Sequence, residues 1–153
     1  MVIVAKMLHD FSAFAHRSDR PISSFQVNDL INEGCTFLER FTRLKQVGFS
    51  FEPGEGLPAV YNDPALLLHV FYRLHCLCLD QLSAGQSLAV VTRPNQKTVE
   101  IVFHLPFSRK NLDNLFPMAL QAAVEKLAGR LDTTTYSEDL TDIIMAIPSL
   151  KAP

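Results

Sequence analysis

Leu57-Pro-Ala-Val-Tyr-Asn-Asp63-Pro-Ala-Leu-Leu67-Leu-His-Val-Phe71-Tyr-Arg-Leu-His-Cys-Leu-Cys78 is the stretch that decides the fold. Asp63 offers an N-cap acceptor, and Pro64 stands at the first helical position, where its missing N–H costs nothing. The apolar run behind them predicts a long helix ending near Leu82. Upstream, Val47, Phe49 and Phe51 alternate as in a half-buried strand, which Pro53-Gly-Glu-Gly-Leu-Pro58 ends. Before that, a helix opens near Asn28, a good cap, and runs to about Leu44 with Ile31, Cys35, Leu38 and Phe41 on one face. A polar stretch from Arg17 to Ser24, broken by Pro21, reads as a linker behind a leading helix from about Val2 to His16. Downstream, strands are predicted near Ser87–Thr92 and Thr98–Leu105, separated by Arg93 to Lys97. A helix follows from Asp113 to Ala128, with Gly129 at the left-handed closing position. Two strands, about Leu131–Tyr136 and Thr141–Ile147, finish the chain. The order α, α, β, α, β, β, α, β, β predicts an α+β fold: a two-layer sandwich with helices on one face of a mixed sheet.

The 153 residues fit one domain with a real core. Lys and Arg number 14 against 16 Asp and Glu, so the net charge of −2 argues against nucleic acid or an anionic membrane surface as partner. No apolar run approaches the roughly 20 residues of a membrane span, and Lys6 and His9-Asp10 interrupt the apolar start, so neither a span nor a signal peptide is expected. Cys35, Cys76 and Cys78 are odd in number and lie in apolar surroundings, which reads as reduced thiols in a cytoplasmic protein. Of 6 glycines only Gly129 follows residue 85, and phosphate-cradling loops are mostly built from glycine.

The cadence of residues 57–78 resembles the ATP-binding domain of sensor histidine kinases, the ATPase fold also found in DNA gyrase. In that family a Leu-Pro precedes a strand and an Asp-Pro opens a helix carrying two asparagines. The resemblance extends outward. Met7-Leu-His-Asp-Phe-Ser12 is similar to the end of the dimerisation hairpin's second helix, and Phe25-Gln-Val-Asn-Asp-Leu-Ile31 to the entry of the first ATPase helix. Ser87–Thr92 and Val99–Phe103 match the next two strands, and Ala119 to Leu131 the late helix. Ile147-Pro148 sits where the family's last strand ends in Leu-Pro. The resemblance implies residues 1–20 as a remnant hairpin helix with its linker, and residues 21–150 as the ATPase domain.

The departures fall where the resemblance puts the chemistry. The two asparagine positions, which hold Mg²⁺ and phosphate oxygens in the family, are Arg73 and Leu77 here. Leucine offers a hard cation no oxygen, and arginine repels it. The adenine-binding aspartate position falls on Leu105 and the first glycine of its box on Phe107. An apolar side chain accepts no hydrogen bond from the adenine amino group, and phenylalanine fills the space of the base. Between Pro106 and Pro117 there is no glycine, where the family carries a longer lid with a second glycine box. Phe116 and Pro117 also make the late helix's N-terminus hard to approach. ATP and Mg²⁺ are therefore expected to be lost, leaving no cofactor, no metal and no catalytic residue.

Other residues read more plainly. His9-Asp10 is similar to a phosphoacceptor box, but Phe14 stands where that box has proline, so His9 reads as a surface histidine. Cys76 and Cys78 point to different helix faces and read as core cysteines, with His75 beside them offering at most a third ligand to a metal. His69, one turn before Arg73, reads as exposed or locally hydrogen-bonded. Arg73 reads as a solvated arginine or as a partner of Asp80 or of an acidic ligand. The expected function is a non-catalytic, histidine-kinase-like module that works by protein contact in two-component-type signalling. Its expected partners are a response regulator, a histidine kinase or a second copy of itself. The alternative is a histidine phosphotransferase or atypical kinase-like protein using His9 or His16.

Overall fold

The computed structural model describes residues 22–106, 116–137 and 140–150. Ten elements follow in order: β1 (Ser23–Phe25), α1 (Val27–Leu44), β2 (Gly48–Glu52), β3 (Val60–Asn62), α2 (Pro64–Gln81), β4 (Ser87–Asn95), β5 (Thr98–Leu105), α3 (Met118–Lys126), β6 (Arg130–Ser137) and β7 (Leu140–Pro148). The main sheet runs β2-β4-β5-β7-β6; β2 lies parallel to β4 and the other pairs are antiparallel. β1 and β3 form a small antiparallel pair beside it. The architecture is the expected α+β sandwich with a mixed sheet.

The helices differ in how they are buried. α1 is amphipathic, turning Val27, Ile31, Gly34, Cys35, Leu38, Phe41 and Thr42 inward. α2 is covered on almost every side, because it lies among α1, α3 and the inner sheet face. That face is Leu88 and Val90 from β4, Val99, Ile101, Phe103 and Leu105 from β5, and Ile143, Met145 and Ile147 from β7. The Phe71 and Phe103 rings meet at 5.6 Å across the two layers. Each such fully buried side chain contributes roughly 1.5–3 kcal/mol by leaving water. α1 comes this close to α2 only because residue 34 is glycine, since a Cβ there would lie 3.0 Å from Leu68 and 3.1 Å from Phe71.

Helix ends follow local chemistry. The Asp63 carboxylate accepts a hydrogen bond from the Leu66 N–H at 3.0 Å, the predicted cap, worth about 1 kcal/mol. At the other end of α2 the Lys45 ammonium donates to the Leu79 carbonyl, a cation placed against the negative helix terminus.

Several boundaries differ from the sequence expectation. Asn28 is not the α1 cap, which falls at Gln26 without a side-chain bond. Instead Asn28 donates to the Gly54 carbonyl at 2.9 Å and accepts from the Thr92 hydroxyl at 2.5 Å, while the Gly54 N–H donates to Thr92 at 2.8 Å. This closed triangle ties α1 to β4 and the loop after β2. The supposed linker ends in strand β1, and β3 was likewise unforeseen from alternation. β4 runs on to Asn95, leaving Gln96-Lys97 as a two-residue turn with Gln96 at positive φ. At the end of α3 the left-handed residue is Ala128, not Gly129. Gly129 serves close approach: a Cβ there would sit 2.9 Å from the Ala146 carbonyl. The leading helix (2–16), residues 113–115 of the late helix, and the turn at 138–139 lie outside the described residues.

The outer sheet face carries polar pairs on either side of an apolar row of Val91, Val102 and Ile144. Burial alone would raise the Glu100 carboxyl, but hydrogen bonds from Asn95 and Arg93, with the charges of Arg93 and Arg130, hold it below its ordinary value. The Arg93 Nε meets it at 2.6 Å and the Asn95 amide at 3.0 Å. The buried Asp142 meets His104 Nδ1 at 2.5 Å and also bonds the Tyr136 hydroxyl, which raises the tyrosine's pKa.

Candidate functional site

α2 leaves one narrow stripe half-exposed: His69, Arg73 and Leu77, each one turn from the next. These include both positions that the resemblance assigns to phosphate and metal binding. Burial first, and then the charge of Arg73, lower the His69 pKa, so the stripe carries one permanent cation and a neutral-leaning imidazole. Leu77 packs its half-buried side chain on the core. No ion pair joins Arg73 to Asp80 among the described residues. No group of three or more His, Cys, Asp or Glu is placed to hold a metal among the described residues.

Leu105 ends β5 fully buried, inside the same hydrophobic core as Phe103 and Leu88. Phe107, its companion in the sequence reading, lies outside the described residues, as do His9 and His16. The start of α3 has Pro117 at the cap with no side-chain hydrogen bond, and the half-buried Phe116 beside it. The Phe116 carbonyl accepts instead from the Gln121 amide at 2.9 Å.

The cysteines are core residues. Burial pushes the Cys35 and Cys76 thiols up to about 12 and raises Cys78 as well, which keeps all three protonated and unsuited to metals.

His75 is the residue whose environment the sequence did not reveal. It is fully buried between Phe49 and Phe71, with ring centroids at 5.1 and 6.0 Å. The Thr42 hydroxyl donates to the Leu38 carbonyl at 3.1 Å, so toward His75 Nε2, also at 3.1 Å, it can only accept. The tautomer is therefore Nε2–H, and Nδ1 keeps a bare lone pair with no hydrogen-bond partner. Burial drives its pKa down to about 3, which makes this imidazole neutral. A helix buried all round has no hydrophobic period against which a histidine stands out, so no sequence signal marked it.

The fold is that of histidine-kinase catalytic, or ATPase, domains. The catalytic domain of histidine kinase ThkA superimposes with a TM-score of 0.71 at 16% identity, covering 85% of this chain and 97% of that one. The histidine kinase domain of the E. coli osmosensor EnvZ gives a TM-score of 0.69 at 11% identity, covering 89% and 94%. ThkA in complex with the response regulator TrrA gives 0.72 at 16%, covering 95% of this chain and 48% of that one. At these identities the likeness is one of fold. No protein-family model matches the sequence, and no curated protein matches it.

Among the described residues no helix is long and apolar enough to cross a membrane.

Proposed function

We propose that the chain is a catalytically silent domain of the histidine-kinase ATPase fold that acts by protein contact in two-component-type signalling, without ATP or Mg²⁺. The observation that carries this reading is Leu105, fully buried in the core at the position the resemblance gives to an adenine-binding carboxylate. Two further residues support it: Arg73 and Leu77 offer no oxygen to a cation, and Leu77 packs on the core. A fold relative captured with a response regulator makes such a regulator a partner to test, alongside a histidine kinase or a second copy of this chain. The setting is the cytoplasm, consistent with three buried free thiols. The phosphotransferase alternative needs His9 or His16, which both lie outside the described residues.

Thermal unfolding with and without Mg·ATP tests the reading. A ligand at roughly 1,000 times its Kd stabilises a fold by about 4 kcal/mol. For a domain of this size that moves Tm upward by about 8 °C or more. The expected result is an unchanged Tm at millimolar Mg·ATP; a concentration-dependent rise overturns the reading.

A further inference from the structure

β6 is the last strand of the sheet, and its outer edge is unpaired among the described residues. Beside that edge runs a groove of about 540 Å³ whose apolar lining is Phe116, Val124 and Leu131. An open edge is a template for another strand, and proteins usually blunt it with lysine, proline or a bulge. Among the described residues β6 carries no lysine or proline, and the irregularity in its pairing with β7 falls between Thr135 and Ser137, leaving residues 130–135 in regular register.

We propose that this first half of β6 pairs antiparallel with the same strand of a second copy, about a two-fold axis through Leu131. The charges choose both the occupant and the register. Arg130 and Asp132 lie on the outer face, 2.8 Å apart, with side chains 70% and 51% exposed. Centred on Leu131, Arg130 stands opposite the second copy's Asp132 and Asp132 opposite its Arg130, so two copies place four charges in alternating order. Centred on Arg130 or on Asp132, like charges face each other across the axis, which is unfavourable. Centred on Thr133, Arg130 meets Tyr136 at the irregularity and neither charge finds its opposite. On the inner face the Leu131 register brings the two leucines together at the mouth of the groove. The arrangement is isologous, as a two-fold requires, and joins two five-stranded sheets into one. Because β6 begins at Arg130, the overlap centred on Leu131 is short, Arg130 to Asp132 with Gly129 and Thr133 at its ends, so the interface is small and association is weak and rises with concentration.

The proposal names a second copy as partner and is independent of whether the domain binds nucleotide, so its failure and that of the contact reading are separate results. Sedimentation of the full chain up to about 1 mM, with a Kd on the order of 100 μM expected, gives the first readout. Arg130→Glu makes the strand all acidic and Asp132→Lys makes it all basic; each alone is expected to weaken association about tenfold or more, because like charges then face each other. An equimolar mixture of the two variants restores it, since glutamate at 130 then faces lysine at 132 and Asp132 faces Arg130. An ion pair acting only within one chain gives no such rescue. Leu131→Lys, on the inner face, removes association independently. A wild-type chain that stays monomeric throughout, single variants that associate like wild type, or a mixture that fails to recover would each overturn the proposal.

Discussion

Between pH 6.5 and pH 4.5 the protein is expected to lose about 2 kcal/mol of stability through one side chain, His75. In the unfolded chain this imidazole takes up a proton near its ordinary value of 6.5, whereas burial holds it neutral in the fold down to about 3. The unfolded state therefore binds more protons across that interval, and stability falls as pH falls, by up to about 1.4 kcal/mol per pH unit. Above pH 6.5 the contribution is fully present and constant. Among the described residues no group offsets the cost, because Nδ1 faces no hydrogen-bond partner and the surrounding rings of Phe49 and Phe71 are apolar. His75→Leu removes the titration, while the Thr42 hydroxyl keeps its own bond to the Leu38 carbonyl. Denaturant unfolding of both proteins at pH 7 and pH 4.5 checks this. The difference between the two pH values is expected to shrink by about 2–3 kcal/mol in the variant. Equal losses in both proteins would mean that other groups carry the acid sensitivity.

Leu105→Asp restores the side chain that the resemblance associates with adenine, and it is expected to unfold the domain instead of activating it. Leu105 is fully buried in the main core. A carboxylate there loses its water and finds no counter-charge in the core among the described residues, at a cost of about 4 kcal/mol or more at pH 7. The folded-state pKa of such an aspartate rises, so part of the loss returns as pH is lowered toward the protonated form. In an open nucleotide cleft the same aspartate would be hydrated, cost little, and bring Mg·ATP affinity with it. Denaturant midpoints of the variant at pH 7 and pH 5, with and without Mg·ATP, separate the two cases.

The parts of the fold that were legible in the sequence are those with strong local chemistry. Asp63-Pro64 fixed the start of α2 because cap and fixed φ act within one turn, and β5 fell on its predicted limits because it alternates over a full strand. α1 was legible from the stripe of Ile31, Cys35, Leu38 and Phe41. β1 and β3 were missed because three residues are too few to show alternation, and partners such as Ser24 and Tyr61 are far apart in the chain. Asn28 looked like a cap, and its actual bonds to Gly54 and Thr92 depend on tertiary placement that no local pattern encodes. Gly129 was read for its backbone freedom, but it is the approach of β7 that excludes a larger residue there. At the candidate site, Arg73, Leu77 and Leu105 were identified by resemblance and not by periodicity. Burial then distinguished a packed leucine at 105 from a half-exposed arginine at 73. The neutral state of His75 comes from its burial and its tautomer from the Thr42 hydroxyl, which donates to Leu38, and both depend on tertiary placement.

Titration calorimetry of the intact chain with Mg·ATP is the most direct test of the central claim, that the fold is kept and its nucleotide site is not. The account predicts no saturable heat at ligand concentrations up to about 1 mM, where even a weak site near −4 kcal/mol begins to fill. A saturable isotherm with a micromolar Kd would contradict it.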